Sequence, residues 1–316
     1  MKIVNIETES RGIHEESVFA SLGADYKCVK CDGDFDTISQ EAGEADIILF
    51  TATPIDKELI DRLPKAQLFV RYGVGYDRVD LEYTKARDVI VCNAPSYGSY
   101  DIAEHAFALL MAVNRKIASY DQNIRAGLFG KGAAYNSYRL YNKILGLVGF
   151  GRIARNMVDF ASGFHMDVLV YDPFIEEKEI ASYGARKVDF NQLLKEADYI
   201  SVHSPLTSKT AKMFSTAEFS QMKDTAVIIN TARGGLIDTE ALIEALKNKV
   251  IRGAGIDVYD DYPKSTNHPL LTLENLVMTP HVAWNSVEAG IALQEEVTAE
   301  VARFIKGEPL LNRVNG

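Results

Sequence analysis

Cysteine is scarce, a surplus of positive charge is missing, and no apolar stretch is long enough to cross a bilayer. The chain carries 3 cysteines in 316 residues, Cys28, Cys31 and Cys92, too few for a disulfide framework. Cys28-Val29-Lys30-Cys31 has the C-x-x-C spacing. No second Cys or His pair stands at zinc-site spacing, and Asp32-Gly33-Asp34 follows where a redox motif would open a helix. The pair therefore reads as two thiols beside a strand end. Lys and Arg number 34 against 44 Asp and Glu, a formal net charge of -10, which argues against a nucleic-acid surface. A small anionic substrate stays compatible, because one local Arg can dominate a cleft. The run Ala106 to Val113 is far too short for a membrane helix. The apolar start at Met1 is broken early by polar residues, so no signal-peptide core is expected. The expected location is the cytoplasm.

Hydrophobic residues make up 47% of the chain, ample for one or two cores, and the length suggests two domains. Short apolar strands alternate with helical stretches, the pattern of a parallel α/β sheet. Lys2–Ile6, Asp46–Phe50, Gln67–Arg71 and Val89–Cys92 read as buried strands, with helices over Asp56–Arg62 and Asp80–Arg87. Residues 101 to about 127 read as one long helix. A second series follows: Ile144–Gly149, Val168–Tyr171, Tyr199–His203, Ala226–Asn230, Gly253–Asp257 and Asn275–Met278. Strands at this pitch predict a doubly wound sheet with right-handed crossovers. A last helix over Ser286–Lys306 stops at Gly307 and Pro309.

Gly149-x-Gly151-x-x-Ala154 ends one of these strands and opens a helix. Glycines there let backbone approach a pyrophosphate, whose charge the unpaired N–H groups and helix dipole stabilise. Phe150, Arg152 and Ile153 lie in the same turn. The next strand ends in Asp172, about twenty residues on, where a carboxylate accepts from the ribose hydroxyls of NAD and repels the 2′-phosphate of NADP. NAD is the expected cofactor.

Ligands gather beyond the carboxyl ends of such strands. Thr231 and Arg233 follow Ala226–Asn230, Asp257 ends Gly253–Asp257, and His281 follows Asn275–Met278. Their chemistry is complementary toward a 2-keto acid. Arg233 can hold a carboxylate with two prongs and polarise the carbonyl oxygen. His281 can protonate that oxygen while nicotinamide delivers hydride to C2, and the reverse reaction needs neutral imidazole.

Over nearly its whole length the chain resembles the D-isomer-specific 2-hydroxyacid dehydrogenases. The matching pieces are Arg71-Tyr72-Gly73-Val74-Gly75-Tyr76-Asp77, Ala103-Glu104-His105, the Gly149 loop, His203-Ser204-Pro205-Leu206-Thr207, Asn230-Thr231-Ala232-Arg233-Gly234-Gly235, Gly255-Ile256-Asp257-Val258-Tyr259 and Thr279-Pro280-His281. The resemblance implies that Arg233 binds the substrate carboxylate and His281 is the acid/base. It implies that backbone N–H groups of Val74 and Gly75 clamp the same carboxylate, and that His203, Thr231 and Asp257 lie along the cofactor. It also implies the fold class: a Rossmann NAD domain, residues 101–284, inserted into a flavodoxin-like substrate domain, residues 1–100 and 285–316, both doubly wound parallel sheets with a cleft between them. Homodimers built through the inserted domain are common in the family.

One departure stands out. The usual third catalytic member is a Glu directly before a Pro, and here Tyr262 precedes Pro263. A phenol orients an imidazole but offers little charge stabilisation, so either Asp260 or Asp261 substitutes or His281 titrates lower than in relatives. Trp284, three residues after His281, resembles an Ala-Trp in the C-terminal-binding-protein branch, and with Tyr76, Tyr97 and Tyr100 it is a candidate wall for a larger keto acid. The main reading is an NAD-dependent oxidoreductase acting between a 2-hydroxy and a 2-keto acid. An NAD(H)-sensing regulatory protein is the alternative, and a formate- or phosphite-type oxidant is a third, less supported by the residues.

Overall fold

The computed structural model describes residues 1–8, 13–129, 137–260, 263 and 265–316. The chain divides into two compact units, Met1–Gly98 with Asn285–Gly316, and Ser99–Trp284.

The first unit is built on five parallel strands, β1 (Lys2–Asn5), β2 (Asp25–Cys28), β3 (Ile47–Phe50), β4 (Leu68–Arg71) and β5 (Ile90–Cys92), in the order β2-β1-β3-β4-β5. This is the flavodoxin-like order. All four residues of β3 are buried, as expected of a central strand covered on both faces. Helices Phe35–Ala42, Lys57–Arg62 and Leu81–Ala86 each start behind an aspartate whose carboxylate accepts a backbone N–H of the first turn, Asp34 from Thr37, Asp56 from Leu59 and Asp80 from Tyr83. Such caps satisfy donors that the helix leaves open. The chain returns to this unit through helix Val287–Lys306, capped by Ser286 and closed by Gly307 at φ 69°. That helix packs on β4 and on helix Ile13–Ser21. Beyond it, the buried Asn315 side chain accepts from Val91 N–H and donates to Val89 C=O and Thr84 Oγ1.

The second unit carries seven parallel strands, β6 (Ile144–Val148), β7 (Asp167–Tyr171), β8 (Arg186–Lys187), β9 (Tyr199–Val202), β10 (Val227–Asn230), β11 (Gly253–Ile256) and β12 (Leu276–Met278). Their order is β12-β11-β10-β9-β6-β7-β8, a Rossmann sheet with one more strand at its edge. The direction of winding reverses between β6 and β9. Helix Ser99–Arg115 lies against β10 and β11. Glycines let it approach: a Cβ on Gly253 would stand 2.8 Å from Val113 Cγ1, and one on Gly255 3.1 Å from Leu109 Cβ.

The fold class is as expected, with three differences in detail. The stretch anticipated as one helix from 101 to about 127 is two, Ser99–Arg115 and Ile117–Arg125, broken where Lys116 turns left-handed at φ 54°. The first piece buries seven residues and the second none, so only the first has a sheet to follow. Strand β2 was not anticipated, since only Tyr26 of its four residues is fully buried and its apolar signal is weak. Strand β8 was missed for the same reason, being two cationic residues long.

Candidate active site

Backbone shape comes first at the cofactor end. Gly149 follows β6 at φ 90°, and a Cβ there would lie 2.9 Å from the carbonyl carbon and oxygen of His203 and from Ser204 N. Only glycine fits, by space and by conformation. Gly151 caps helix Arg152–Gly163 with extended backbone and without a side-chain hydrogen bond, and a Cβ on it would meet nothing within 4 Å. The helix therefore opens its N–H groups onto open space, as an anion site requires. Arg152 and Ile153 form its first turn, while Ala154 is fully buried beneath. Asp172, just past β7, holds this turn: Oδ2 accepts from Phe150 N–H at 2.9 Å, and Oδ1 from Phe174 and Ile175 N–H at 2.8 and 3.2 Å.

Two shielded polar atoms at the same sheet edge lack partners among the described residues, His203 Nδ1 and Thr231 Oγ1. Proteins rarely leave such atoms unsatisfied without a ligand or water to meet them. His203 Nε2 is paired with Ser201 Oγ at 2.9 Å, and burial pushes its pKa down to about 4, so the ring is neutral at ordinary pH. The open glycine turn, the Asp172 carboxylate and these two orphan atoms fit a dinucleotide laid across the strand ends.

At the other end, Arg233 follows β10 in a turn that Asn230 ties down: its Oδ1 accepts from Ala232 N–H at 3.0 Å and its Nδ2 donates to Arg233 C=O at 2.8 Å. Arg233 Nη1 donates to Ala232 C=O at 2.7 Å. Gly234 presses on the backbone after β11, where a Cβ would come within 1.9 Å of Tyr259 C. His281 follows β12 in the left-handed region, φ 59°, and is exposed. β10, β11 and β12 are neighbours and all parallel. Arg233 and His281 thus leave the same edge two strand spacings apart, about 10 Å.

Asp257 stands on the strand between them, fully buried. Its C=O accepts His281 N–H at 2.8 Å. Its Oδ1 accepts from Val282 N–H at 2.9 Å and Thr279 Oγ1 at 2.5 Å, and Oδ2 from Ala283 N–H at 2.9 Å. Holding a non-glycine residue left-handed costs about 1–2 kcal/mol, and this clasp supplies charge-assisted hydrogen bonds against it. Asp257 thus grips the His281 turn, a job that its position at a strand end did not announce. His105 was visible in the sequence without a role. Its Nε2 lies 2.9 Å from Thr279 Oγ1 and 3.8 Å from Asp257 Oδ1, adding helix Ser99–Arg115 to the same network.

Other anticipated residues fall as follows. Tyr262 and Asp261 lie outside the described residues. Asp260 directs Oδ1 at the Gly235 turn, 3.4 Å from where a Cβ there would be. Trp284 directly follows the clasped Ala283. Tyr100 packs edge-on against Phe160 with centroids 5.2 Å apart, Tyr97 packs on the first unit's core, and Tyr76 is exposed in the loop after β4. Among the described residues no group of side chains has the makings of a metal site, and no helix is long and apolar enough to cross a membrane.

A Rossmann sheet with a glycine turn opening a helix, an aspartate at the end of the next strand, and an Arg and a His two strands apart at one edge is the arrangement of a dinucleotide-dependent oxidoreductase. Comparison with known proteins makes the class specific. The family described as D-isomer specific 2-hydroxyacid dehydrogenase, NAD binding domain, matches residues 107–283. A glyoxylate reductase of Thermococcus litoralis is 39% identical over 283 residues, covering 87% of this chain and 85% of that protein. Among solved structures, an acyclic imino acid reductase in complex with NADPH and D-Arg superposes with a TM-score of 0.89 at 31% identity over 99% of this chain and 100% of the other. A D-lactate dehydrogenase of Aquifex aeolicus, complexed with NAD and lactic acid, gives 0.89 at 26% identity over 99% of each. The chain also matches D-3-phosphoglycerate dehydrogenases, of whose length it spans about half. The chain belongs to the D-isomer-specific 2-hydroxyacid dehydrogenase family, and it is an NAD-dependent oxidoreductase. These relatives lend no support to an NAD(H)-sensing regulator.

Proposed function

We propose that the protein reduces a small 2-keto acid of the glyoxylate or pyruvate size to the D-2-hydroxy acid, with Arg233 and His281 as the residues that meet the substrate. The observation that carries this reading is the placement of Arg233, Asp257 and His281 at the ends of three adjacent parallel strands. Gly149, Phe150, Gly151, Arg152 and Ile153 would hold the pyrophosphate of NAD, Asp172 a ribose, and His203, Thr231 and Asp257 the nicotinamide half. When bound, the reduced cofactor supplies the hydride that C2 receives. Arg233 binds the substrate carboxylate and draws charge onto the carbonyl oxygen, with N–H groups of Val74 and Gly75 as further donors. His281 gives that oxygen its proton, and Asp257 keeps the imidazole turn in place. Trp284 is assigned to the substrate wall, and Tyr262 keeps the sequence position at which the resemblance implies a Glu.

NADH oxidation with a panel of 2-keto acids, and NADPH as a control, tests the reading. Arg233→Ala is expected to lower kcat/KM by about 10²–10³ and His281→Asn to lower kcat by about 10²–10⁴. Full turnover in either variant overturns the assignment. A homodimer is part of the proposal, supported by helix Ile117–Arg125, which buries none of its residues, and by exposed Ile117, Ile124, Leu128 and Phe129; light scattering at a monomer mass would remove it. A cytoplasmic location is proposed too, and cell fractionation checks it.

A second reading has one observation in its favour. Where the resemblance implies a carboxylate partner for His281, the sequence has Tyr262. A protonated C=N already carries its proton, so hydride addition to a 2-imino acid gives the amine without an imidazolium donor. Pyruvate with and without methylamine separates the two: faster NADH oxidation only with the amine favours the imine.

A further inference from the structure

Helix Ile13–Ser21 carries a carboxylate where an exposed one would cost nothing, yet Glu15 is 4% exposed. A buried carboxylate costs several kcal/mol unless its oxygens are met, and here both are. The Tyr26 hydroxyl donates to Oε2 at 2.6 Å, and the Tyr72 hydroxyl donates to Oε1. Burial and the neighbouring carboxylate push both phenols well above their ordinary range, so each remains a donor.

The position of Tyr72 gives this cluster a use. Tyr72 N–H still belongs to the sheet, donating to Phe50 C=O at 2.8 Å, while Gly73 N–H folds back onto Arg71 C=O at 3.0 Å. Tyr72 is therefore the centre of a tight three-residue turn, and the direction of its side chain sets the direction of the chain that leaves it. That chain is Gly73-Val74-Gly75. Gly73 sits at φ 135°, and a Cβ on it would lie 2.3 Å from Arg71 Nη1. Its C=O accepts Ala94 N–H at 3.2 Å, and Val74 C=O accepts Asn93 Nδ2 at 2.7 Å. The carbonyls are turned into the protein, while the N–H groups of Val74 and Gly75 donate to none of the described residues.

We propose that Glu15, acting through Tyr72, is a positioning residue for substrate-carboxylate binding, bracing the turn that aims the Val74 and Gly75 N–H groups. The proposal rests on the reading of those two N–H groups as carboxylate donors. Neither Glu15 nor Tyr72 touches substrate. The carboxylate holds the phenol, the phenol holds the turn, and the turn presents the donors. Tyr26 occupies the second oxygen of Glu15 and fixes the carboxylate against β2.

The test uses Tyr72→Phe, Glu15→Ala and Glu15→Gln in the full chain, with glyoxylate and pyruvate as probes. Tyr72→Phe and Glu15→Ala are expected to raise the KM for keto acid about three- to tenfold, the scale of one lost hydrogen bond, with kcat and the KM for NADH within about twofold. Glu15→Gln keeps an acceptor for one phenol and a donor for the other, and is expected to restore the KM. An unchanged keto-acid KM in Tyr72→Phe overturns the proposal. So does a KM for NADH that rises in step, the mark of a general folding defect. Hydrogen exchange separates this outcome from failure of the functional reading, because it needs no turnover: the Gly73 and Ala94 amides should exchange faster in Tyr72→Phe. Faster exchange in a protein that reduces neither probe keeps the brace and removes the substrate, whereas unchanged exchange removes the brace.

Discussion

Replacing Gly234 by alanine isolates the geometry on which the Arg233 turn depends. Its added Cβ would stand 1.9 Å from Tyr259 C, 2.1 Å from Asp260 N and 2.3 Å from Tyr259 O. Ordinary carbon contacts begin near ~3.5 Å, so one backbone segment must retreat by about 1.5 Å. All three atoms are main chain, and no rotamer change relieves them. Overpacking of this kind costs about 1–3 kcal/mol, and the upper end is expected here. The turn that moves carries Arg233, and a misplacement of about 1 Å at a reacting centre costs on the order of 10²-fold in rate. Gly235 is the control. Its Cβ would meet Leu206 Cδ2 at 3.1 Å and Asp260 Oδ1 at 3.4 Å, both ends of side chains that can rotate. Gly235→Ala should therefore stay within about 1 kcal/mol of wild type. Urea unfolding gives the stabilities, and steady-state kinetics with glyoxylate or pyruvate give kcat/KM. Equal unfolding midpoints and equal kcat/KM in the two variants would refute the reasoning.

Two further outcomes follow from the site. His203 titrates near 4 in the folded protein and near ~6.5 in an unfolded chain. Between those values the unfolded chain takes up a proton that the folded one refuses, so stability falls as pH drops from about 6.5 to about 4, by up to about 3 kcal/mol, and this contribution is flat below. Urea unfolding at about pH 7 and about pH 4.5 should show a smaller loss in His203→Gln than in wild type; the same loss in both would contradict it. For Tyr262→Glu, a carboxylate where the family resemblance implies one stabilises imidazolium, so keto-acid reduction should persist to higher pH than in wild type. Superimposable pH–rate profiles would dismiss that idea.

The sequence made the sheet architecture legible because buried parallel strands are short apolar runs with few exceptions. Ile47–Phe50 and Val227–Ile229 need no pattern analysis at all. The Gly149 turn was equally legible, and Gly149 itself is forced by the close passage of His203 and Ser204. What escaped was determined by contacts distant along the chain. Nothing near Lys116 marks the left-handed break, which shows only in the folded chain, where the first helix buries seven residues and the second none. The strand-end position of Asp257 pointed to the cofactor side, but its second job, clasping the N–H groups of Val282 and Ala283, depends on residues some 25 positions away. Glu15 gave no signal, since a glutamate in a first helical turn is ordinary and Tyr72 lies 57 positions away.

Asn315 gives the chain a calendar. Its side chain secures β5 and the helix before it, elements whose residues leave the ribosome more than two hundred positions earlier (224 separate it from Val91). Helix Val287–Lys306 is late in the same way. During synthesis the stretch Ser99–Trp284 can complete its own sheet while the opening segment still lacks its last helix and its fastener. For that interval the nascent amino-terminal strands have a core face without a lid, which makes them the segment most in need of a chaperone.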